Sequence, residues 1–341
     1  MGNRKVFLLV DYRGIFYSST REVAGTMDVG KIKELLELHG YEVFVESFSE
    51  VDFRSRKYHN SFVLYQSSED PDLRYKDYVE DVLLGLGLAG AFLVPRFVHF
   101  RAHHNKVFME ILRDTSGFEA IQSIQSRVYG ACEELKAQTN SVVYPAVIKP
   151  GAGSRSYSVQ LCVDQDSLLR VARLISRSFS TINLRRFISG VISGKGFKPI
   201  SQHRRKFIVQ NYIEGLSGDF KVLAYADKFY VLYRMNRVND FRASGSGLLS
   251  YPDTTPHAVL DYAEAVFAHL DTPFVSLDIA LRGRELFLLE FQFLSFGQYA
   301  LEHSDHYYTK IGDVWRRIEG RSGLEETFVY AVYAYLQRNQ S

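Results

Sequence analysis

The chain has 341 residues, enough for two domains of roughly 100–200 residues each. Hydrophobic residues make up 46% and charged residues 23%, a balance that excludes a disordered chain. A net charge of +2 excludes a surface basic all over, while leaving room for a local basic face.

The first hundred residues alternate between the two hydrophobic periods. Val6–Asp11 is a short apolar run and reads as a buried strand. Val29–His39 places Ile32, Leu35, Leu36 and Leu38 at helical spacing, and Gly40 stops it. Tyr41–Phe48 and Ser61–Gln66 read as strands, Tyr75–Leu88 as a helix, and Ala91–Val94 as a strand ended by Pro95. This rhythm predicts a small parallel α/β domain over residues 1–103. No GxGxxG follows any of its strands, so a dinucleotide site is not expected there.

Beyond it, His104–Arg113 reads as a short helix and Ile121–Ala137 as a longer one. A strand-turn-strand unit starts at Val142. Asp166–Phe179 is amphipathic, with Leu168, Leu169, Ala172, Leu174 and Ile175 as its expected buried stripe. Thr181–Gln202 holds Gly190, Gly194, Gly196 and Pro199 and reads as a loop or insertion. Strands are predicted at Phe207–Tyr212, Phe220–Ala226, Phe229–Arg234, Phe274–Leu281 and Leu286–Phe293, with helices at His257–Leu270 and Leu324–Gln337.

Cys132 and Cys162 have no metal-ligand spacing and too few partners for a disulfide framework; they read as buried thiols in a reducing compartment. Val6–Val10 is too short for a signal peptide, Met1-Gly2 lacks a myristoylation signal, and no run approaches the ~18 apolar residues of a spanning helix. A cytoplasmic protein is expected. His103-His104 and His303 with His306 lack the i,i+4 helical spacing and read as surface or supporting groups rather than metal ligands.

Chemistry-bearing residues cluster after residue 100. A strand runs into Lys149, followed by Pro150-Gly151-Ala152-Gly153-Ser154. Glycine and serine let backbone N–H groups approach a phosphate, and lysine supplies a point charge. It is not a Walker loop, since no GxxxxGK[ST] precedes a helix. Downstream lie Gln210-Asn211-Tyr212, then Asp219, Arg234, Arg242-Ala243-Ser244, Asp278, Glu290 and Gln292. Glu290 sits in an apolar run, where a charge is costly unless paired with a metal or a cation. Glu290 and Gln292, two apart, point to one face of their strand.

In order and spacing, residues 106–297 resemble the ATP-grasp superfamily, most nearly the branch of the ribosomal-protein glutamate ligases and glutathione synthetases. The resemblance implies an α/β ATP-grasp fold: a pre-ATP-grasp domain at 1–103 and an ATP-grasp domain at 104–341, with 141–212 as its small lid. It implies ATP and Mg2+ as cofactors, with Mn2+ as a substitute. Lys106 and Lys149 would be the nucleotide-phosphate lysines, and Gly151, Gly153 and Ser154 part of the loop closing over the phosphates. Gln210, Asn211 and Tyr212 would form the adenine hinge, and Asp219 and Ser244 would be further nucleotide contacts. Arg234 would stabilise the transferring phosphoryl group and Arg242 clamp a carboxylate. Asp278, Glu290 and Gln292 would hold the magnesium; Gln292 replaces the usual Asn, and Phe293–Gly297 replaces the usual Asn-Pro-Gly.

The activity implied is carboxylate activation as an acyl phosphate followed by amide formation. A phosphotransferase and a non-catalytic nucleotide-binding scaffold stand as alternatives. Expected partners are small-molecule, peptide or glycan carboxylates and amines, with no nucleic acid and no membrane; a homodimer is left open. No Asp or Glu lies between Asp166 and Glu214, so the 170–206 stretch reads as a solvated face or as a dock for an anionic acceptor. Finally, Asp278 and Glu290 can share a sheet face only if the hairpin's residue count allows it; an odd connection, Arg282-Gly283-Arg284, is expected.

Overall fold

The computed structural model describes residues 5–18, 25–68, 70, 72–153, 159–178, 185, 189–194, 200–238, 240–243 and 245–339. By contacts the chain divides into two compact units, Met1–His103 together with Leu216–Ser341, and His104–Gly215.

The first unit contains a parallel sheet of four strands, β1 (Lys5–Val10), β2 (Glu42–Ser47), β3 (Phe62–Tyr65) and β4 (Phe92–Val94), ordered β2-β1-β3-β4. Helices α1 (Val29–Leu38) and α2 (Arg74–Leu88) make crossovers. Asp28 caps α1 by accepting the Lys31 N–H, and Gly40 follows with φ 84°. A further helix, α3 (Phe97–Ala102), follows β4; the apolar pattern there is too short to have announced it.

The same unit holds a seven-stranded sheet. Its main path is β13 (Glu285–Gln292), β12 (Phe274–Arg282), β9 (Gly218–Tyr225), β10 (Lys228–Met235), β14 (His306–Ile311) and β15 (Val314–Glu319), with β11 (Leu249–Ser250) on β10. The β14–β15 hairpin was not anticipated, because Lys310, Arg316 and Arg317 mask its alternation. One core joins the two sheets. Val6 and Leu8 of β1, Leu223 and Tyr225 of β9, and Phe328, Val332 and Leu336 of the last helix share a single apolar cluster. Each such side chain contributes about 1.5–3 kcal/mol on burial.

The second unit carries a four-stranded sheet, β5 (Ser126–Tyr129), β8 (Phe207–Asn211), β6 (Ala146–Pro150) and β7 (Gln160–Cys162), in that order. The helices α5 (Cys132–Gln138) and α6 (Gln165–Ile175) pack on it. Instead of one long helix over Ile121–Ala137, the chain forms β5 and then α5. Gly130 separates them, and pairing with β8 outweighs the weak helical period. In α6 the buried positions are Leu168, Val171 and Ala172, while Leu174, expected in the stripe, is 67% exposed. Most of the predicted 181–202 loop lies outside the described residues. Among the described residues, no helix is long and apolar enough to cross a membrane.

Candidate active site

In the first unit, the geometry of the polar cluster is a consequence of sheet register. β9 pairs with β10 so that Asp219 faces Arg234, and with β12 so that Lys221 faces Asp278. β12 pairs with β13 so that Asp278 faces Glu290 and Ser276 faces Gln292. Directly paired residues share a face, as do residues two apart. Asp219, Lys221, Arg234, Ser276, Asp278, Glu290 and Gln292 therefore occupy one face. Further along that face Leu223, Tyr225, Tyr230, Leu232 and Phe274 enter the apolar core, so the polar end is built on a packed platform.

The hairpin achieves this differently from the odd connection expected. Arg282 pairs with Glu285 across the two-residue turn Gly283-Arg284, and Gly283 takes φ 62°, in the left-handed region. Such a turn alone would set Asp278 opposite Leu289 and send Glu290 to the other face. A register shift between Asp278 and Ile279 absorbs Leu289 as an extra residue, and Glu290 returns opposite Asp278. The shared face is as predicted; the device is a bulge rather than the turn.

Arg234 is the centre of the cluster. Its Nε and Nη2 donate to the two oxygens of Asp219 at 2.6 and 2.8 Å, and Nη2 also meets Asp278 Oδ2 at 2.7 Å. Burial works against its charge, but Asp278 and Asp219 outweigh it and raise the pKa. Asp219 is almost fully buried. Burial, with help from Asp278, pushes it up to about 6 although Arg234 pulls the other way. Both its oxygens are spent on Arg234, so here it is a clamp on that guanidinium rather than an open nucleotide contact.

Lys221 was missed in the sequence. Its Nζ donates to Ser276 Oγ at 2.7 Å and lies 3.7 Å from Asp278 Oδ1, and burial lowers its pKa. The signal was present: Lys221 follows Asp219 by two positions on a strand. Gln292 Nε2 donates to Glu290 Oε1 at 2.9 Å. Nearby in the chain, Arg242 makes its bidentate contact with Asp240, at 2.9 Å for both bonds. Ser244 lies outside the described residues.

A divalent cation of the hard, oxygen-seeking kind can be tested against these residues. Asp278 Oδ1 is buried and accepts no hydrogen bond, and Glu290 stands directly opposite. Two carboxylates and an amide oxygen suit such an ion. Among the described residues no group of three or more His, Cys, Asp or Glu is placed to hold a metal ion. His103 and His306 are buried rather than on the surface, and His306 Nδ1 lies 2.7 Å from Asp305 Oδ1.

In the second unit, Tyr129, Ala146, Ile148, Phe207 and Val209 face the helices. Alternation puts Val147, Lys149, Ile208 and Gln210 on the opposite face. Lys149 is buried there at the end of β6, and Gln210 Nε2 is a buried donor with no hydrogen-bond acceptor. Asn105 caps α4 (Lys106–Thr115): its Oδ1 accepts from Phe108 N at 3.3 Å and from Lys206 Nζ at 2.8 Å. Lys106 N donates to Gly151 O at 2.8 Å, Gly151 N to Lys206 O at 2.8 Å, and Lys106 Nζ to Gly153 O at 3.1 Å. A Cβ on Gly151 would lie 2.7 Å from Lys206 Cγ and 2.8 Å from its carbonyl oxygen, so only glycine fits. Lysines 106 and 206 and the glycine segment thus form one assembly. Asn211 N donates to Gln125 O at 3.0 Å, which commits that backbone donor to the fold. Tyr212 is partly exposed just beyond β8, and Ser154 lies outside the described residues.

A buried pair ties α4 to β5. Arg113 Nε and Ser126 Oγ both donate to Glu110 Oε2, at 2.8 and 2.6 Å, and neither Glu110 nor Arg113 is exposed at all. Periodicity did not single them out, because charged residues on a helix usually face water.

The order and pairing of the strands decide the fold. The fold is that of the ATP-grasp proteins. The chain is similar in structure to an ATP-grasp RimK domain protein from Sphaerobacter thermophilus, with TM-score 0.51 and 13% identity over 96% of this chain and 98% of that one. It is similar to D-cycloserine synthetase DcsG, with TM-score 0.52 and 14% identity over 98% and 99% of the two chains. It also resembles a glycinamide-RNase-transformylase T from Mycobacterium tuberculosis, with TM-score 0.50 and 11% identity over 98% of this chain and 81% of that one. No protein-family model and no curated protein matches the sequence.

Proposed function

We propose that the protein is an ATP-dependent ligase that activates a carboxylate as an acyl phosphate and joins it to an amine. The observation that carries this reading is Arg234, buried and held by Asp219 and Asp278 next to Lys221. Phosphoryl transfer needs charge neutralisation more than covalent help. A guanidinium already desolvated and oriented costs no reorganisation when charge develops.

In this reading Lys106, Lys149 and the segment of Gly151, Gly153 and Ser154 bind the phosphates of ATP. Gln210, Asn211 and Tyr212 bind its base, with Gln210 Nε2 as the donor assigned to it. A substrate carboxylate oxygen attacks the γ-phosphorus, the bond to the bridging oxygen breaks, and ADP leaves. Arg234 and Lys221 balance the negative charge that spreads over the phosphoryl oxygens. The amine nitrogen then attacks the acyl carbon, loses a proton, and inorganic phosphate departs. Arg242 orients the carboxylate by exchanging Asp240 for it. Asp278, Glu290 and Gln292 are the residues that would hold Mg2+ or Mn2+, which when bound neutralises phosphate charge and acts as a Lewis acid.

The test is ADP release over a panel of carboxylates and amines, with hydroxylamine as a trapping nucleophile. A ligase forms ADP and a hydroxamate only when a carboxylate is present. ADP released with a stable phosphorylated product, whatever the amine, would replace the reading with a phosphotransferase. ATP binding without any turnover would replace it with a scaffold.

A further inference from the structure

The charge of this protein is sharply uneven. Ten of its 41 lysines and arginines, and none of its 39 acids, fall between Asp166 and Glu214; the remainder of the chain carries 31 basic and 39 acidic residues, a surplus of eight negative charges. The ATP-grasp reading uses Lys149 and Lys106 of the second unit, and Lys206 is tied to Asn105 and the glycine turn, so the arginines of this segment are unaccounted for.

The structure gathers part of it. Arg170, Arg173 and Leu174 are exposed on α6, at spacings of three and four that keep them on one side. Arg177, one turn on, forms an isolated antiparallel bridge with His203. His203 Nδ1 lies 2.9 Å from Arg173 O, and Arg205 N donates to Ser176 O at 2.9 Å. These bonds pin the 203–205 segment against the end of α6 and set Arg204 and Arg205 beside Arg173 and Arg177. All of these arginines are exposed, and among the described residues none forms an ion pair with an acid. The acids of the neighbouring α5 are committed elsewhere: Glu133 accepts from Ser201 Oγ at 2.8 Å, and Glu134 from the N–H groups of Gly130 and Ala131 at 2.7 and 3.1 Å.

We infer that this face docks an acidic peptide segment. Guanidinium groups recognise carboxylates in bidentate fashion, and all five cations of the cluster are arginines. Leu174, 67% exposed among them, and Ile200, 45% exposed, offer aliphatic contact for the apolar side chains of such a segment.

The test is fluorescence anisotropy on the full-length protein without ATP, so its failure leaves the ligase reading untouched. The probe is a labelled peptide of alternating glutamate and leucine, titrated at low and high salt. Substituting Arg173, Arg177, Arg204 and Arg205 by Gln is expected to weaken binding by about tenfold or more and to flatten the salt dependence. The double variant Arg173→Gln/Arg204→Gln should lie in between, and serves if the quadruple variant does not fold. Substituting Arg54, Arg56, Arg316 and Arg321 by Gln removes the same net charge and should leave binding unchanged. The inference is overturned if the peptide does not bind, if both quadruple variants lose affinity equally, or if an oligonucleotide or a phosphatidylserine vesicle binds more tightly than the peptide at equal salt.

Discussion

The two polar clusters are built on different principles. In the first unit, charges are locked together: Arg234 has three short contacts to carboxylates, and Lys221 sits between Ser276 and Asp278. In the second, Lys106 and Lys206 are joined to a glycine turn largely through backbone groups, and the buried Gln210 Nε2 still lacks an acceptor. Under the proposed function, the first arrangement holds charge in fixed positions while a bond breaks. The second suits a site that grips a ligand and completes its hydrogen bonds only when the ligand is there. Each cluster keeps one buried polar atom open, the acceptor Asp278 Oδ1 in the first and the donor Gln210 Nε2 in the second, so the two differ in how their charges are paired and in the kind of group each leaves free.

Four experiments test that contrast. The largest effect is expected for Glu290→Gln, which removes charge and keeps volume. ADP release should fall by about a hundred- to a thousandfold, the scale seen when a preorganised electrostatic group is lost, with an unchanged circular dichroism spectrum. A fully active variant would remove Glu290 from the chemistry.

Arg234→Leu comes next. It strands the buried Asp219 beside Asp278, and breaking such a pair costs about 3–5 kcal/mol. Urea unfolding should show this loss. A stability within about 0.5 kcal/mol of wild type would mean that the clamp is not preorganised.

Lys149→Ala should act on binding rather than on the chemical step. Loss of one charge-assisted hydrogen bond, about 1.5–3 kcal/mol, should weaken ATP by roughly ten- to a hundredfold in calorimetry, with little change in the unfolding midpoint. Equal affinity would take the nucleotide out of the second unit's open face.

The smallest effect is a pH dependence. Burial first, and Asp278 second, raise Asp219 to about 6, so the folded protein holds this proton more tightly than the unfolded chain does. Its contribution to stability is fully present below the ordinary carboxyl value of about 4 and is lost as the pH rises through about 6. Asp219→Asn should flatten the urea midpoint across that window. An unaltered slope would assign the titration to another group.

Much of this molecule was determined by its sequence alone. The parallel α/β rhythm, the helix His257–Leu270 and the strands around Asp219, Arg234, Asp278 and Glu290 are all legible, because burial on one face imposes a period that local composition must obey. Residues two apart on a strand share a face whatever the fold, so the pairing of Glu290 with Gln292 was also readable. Tertiary structure alone decided which strands lie side by side. That choice gave Arg234 to Asp219 and placed Lys221 against Asp278, contacts between residues far apart in the chain. It also absorbed Leu289 into a bulge, where a two-residue turn by itself would have parted the two acids. Register depends on the summed packing of a whole sheet, and no local pattern of residues contains that sum.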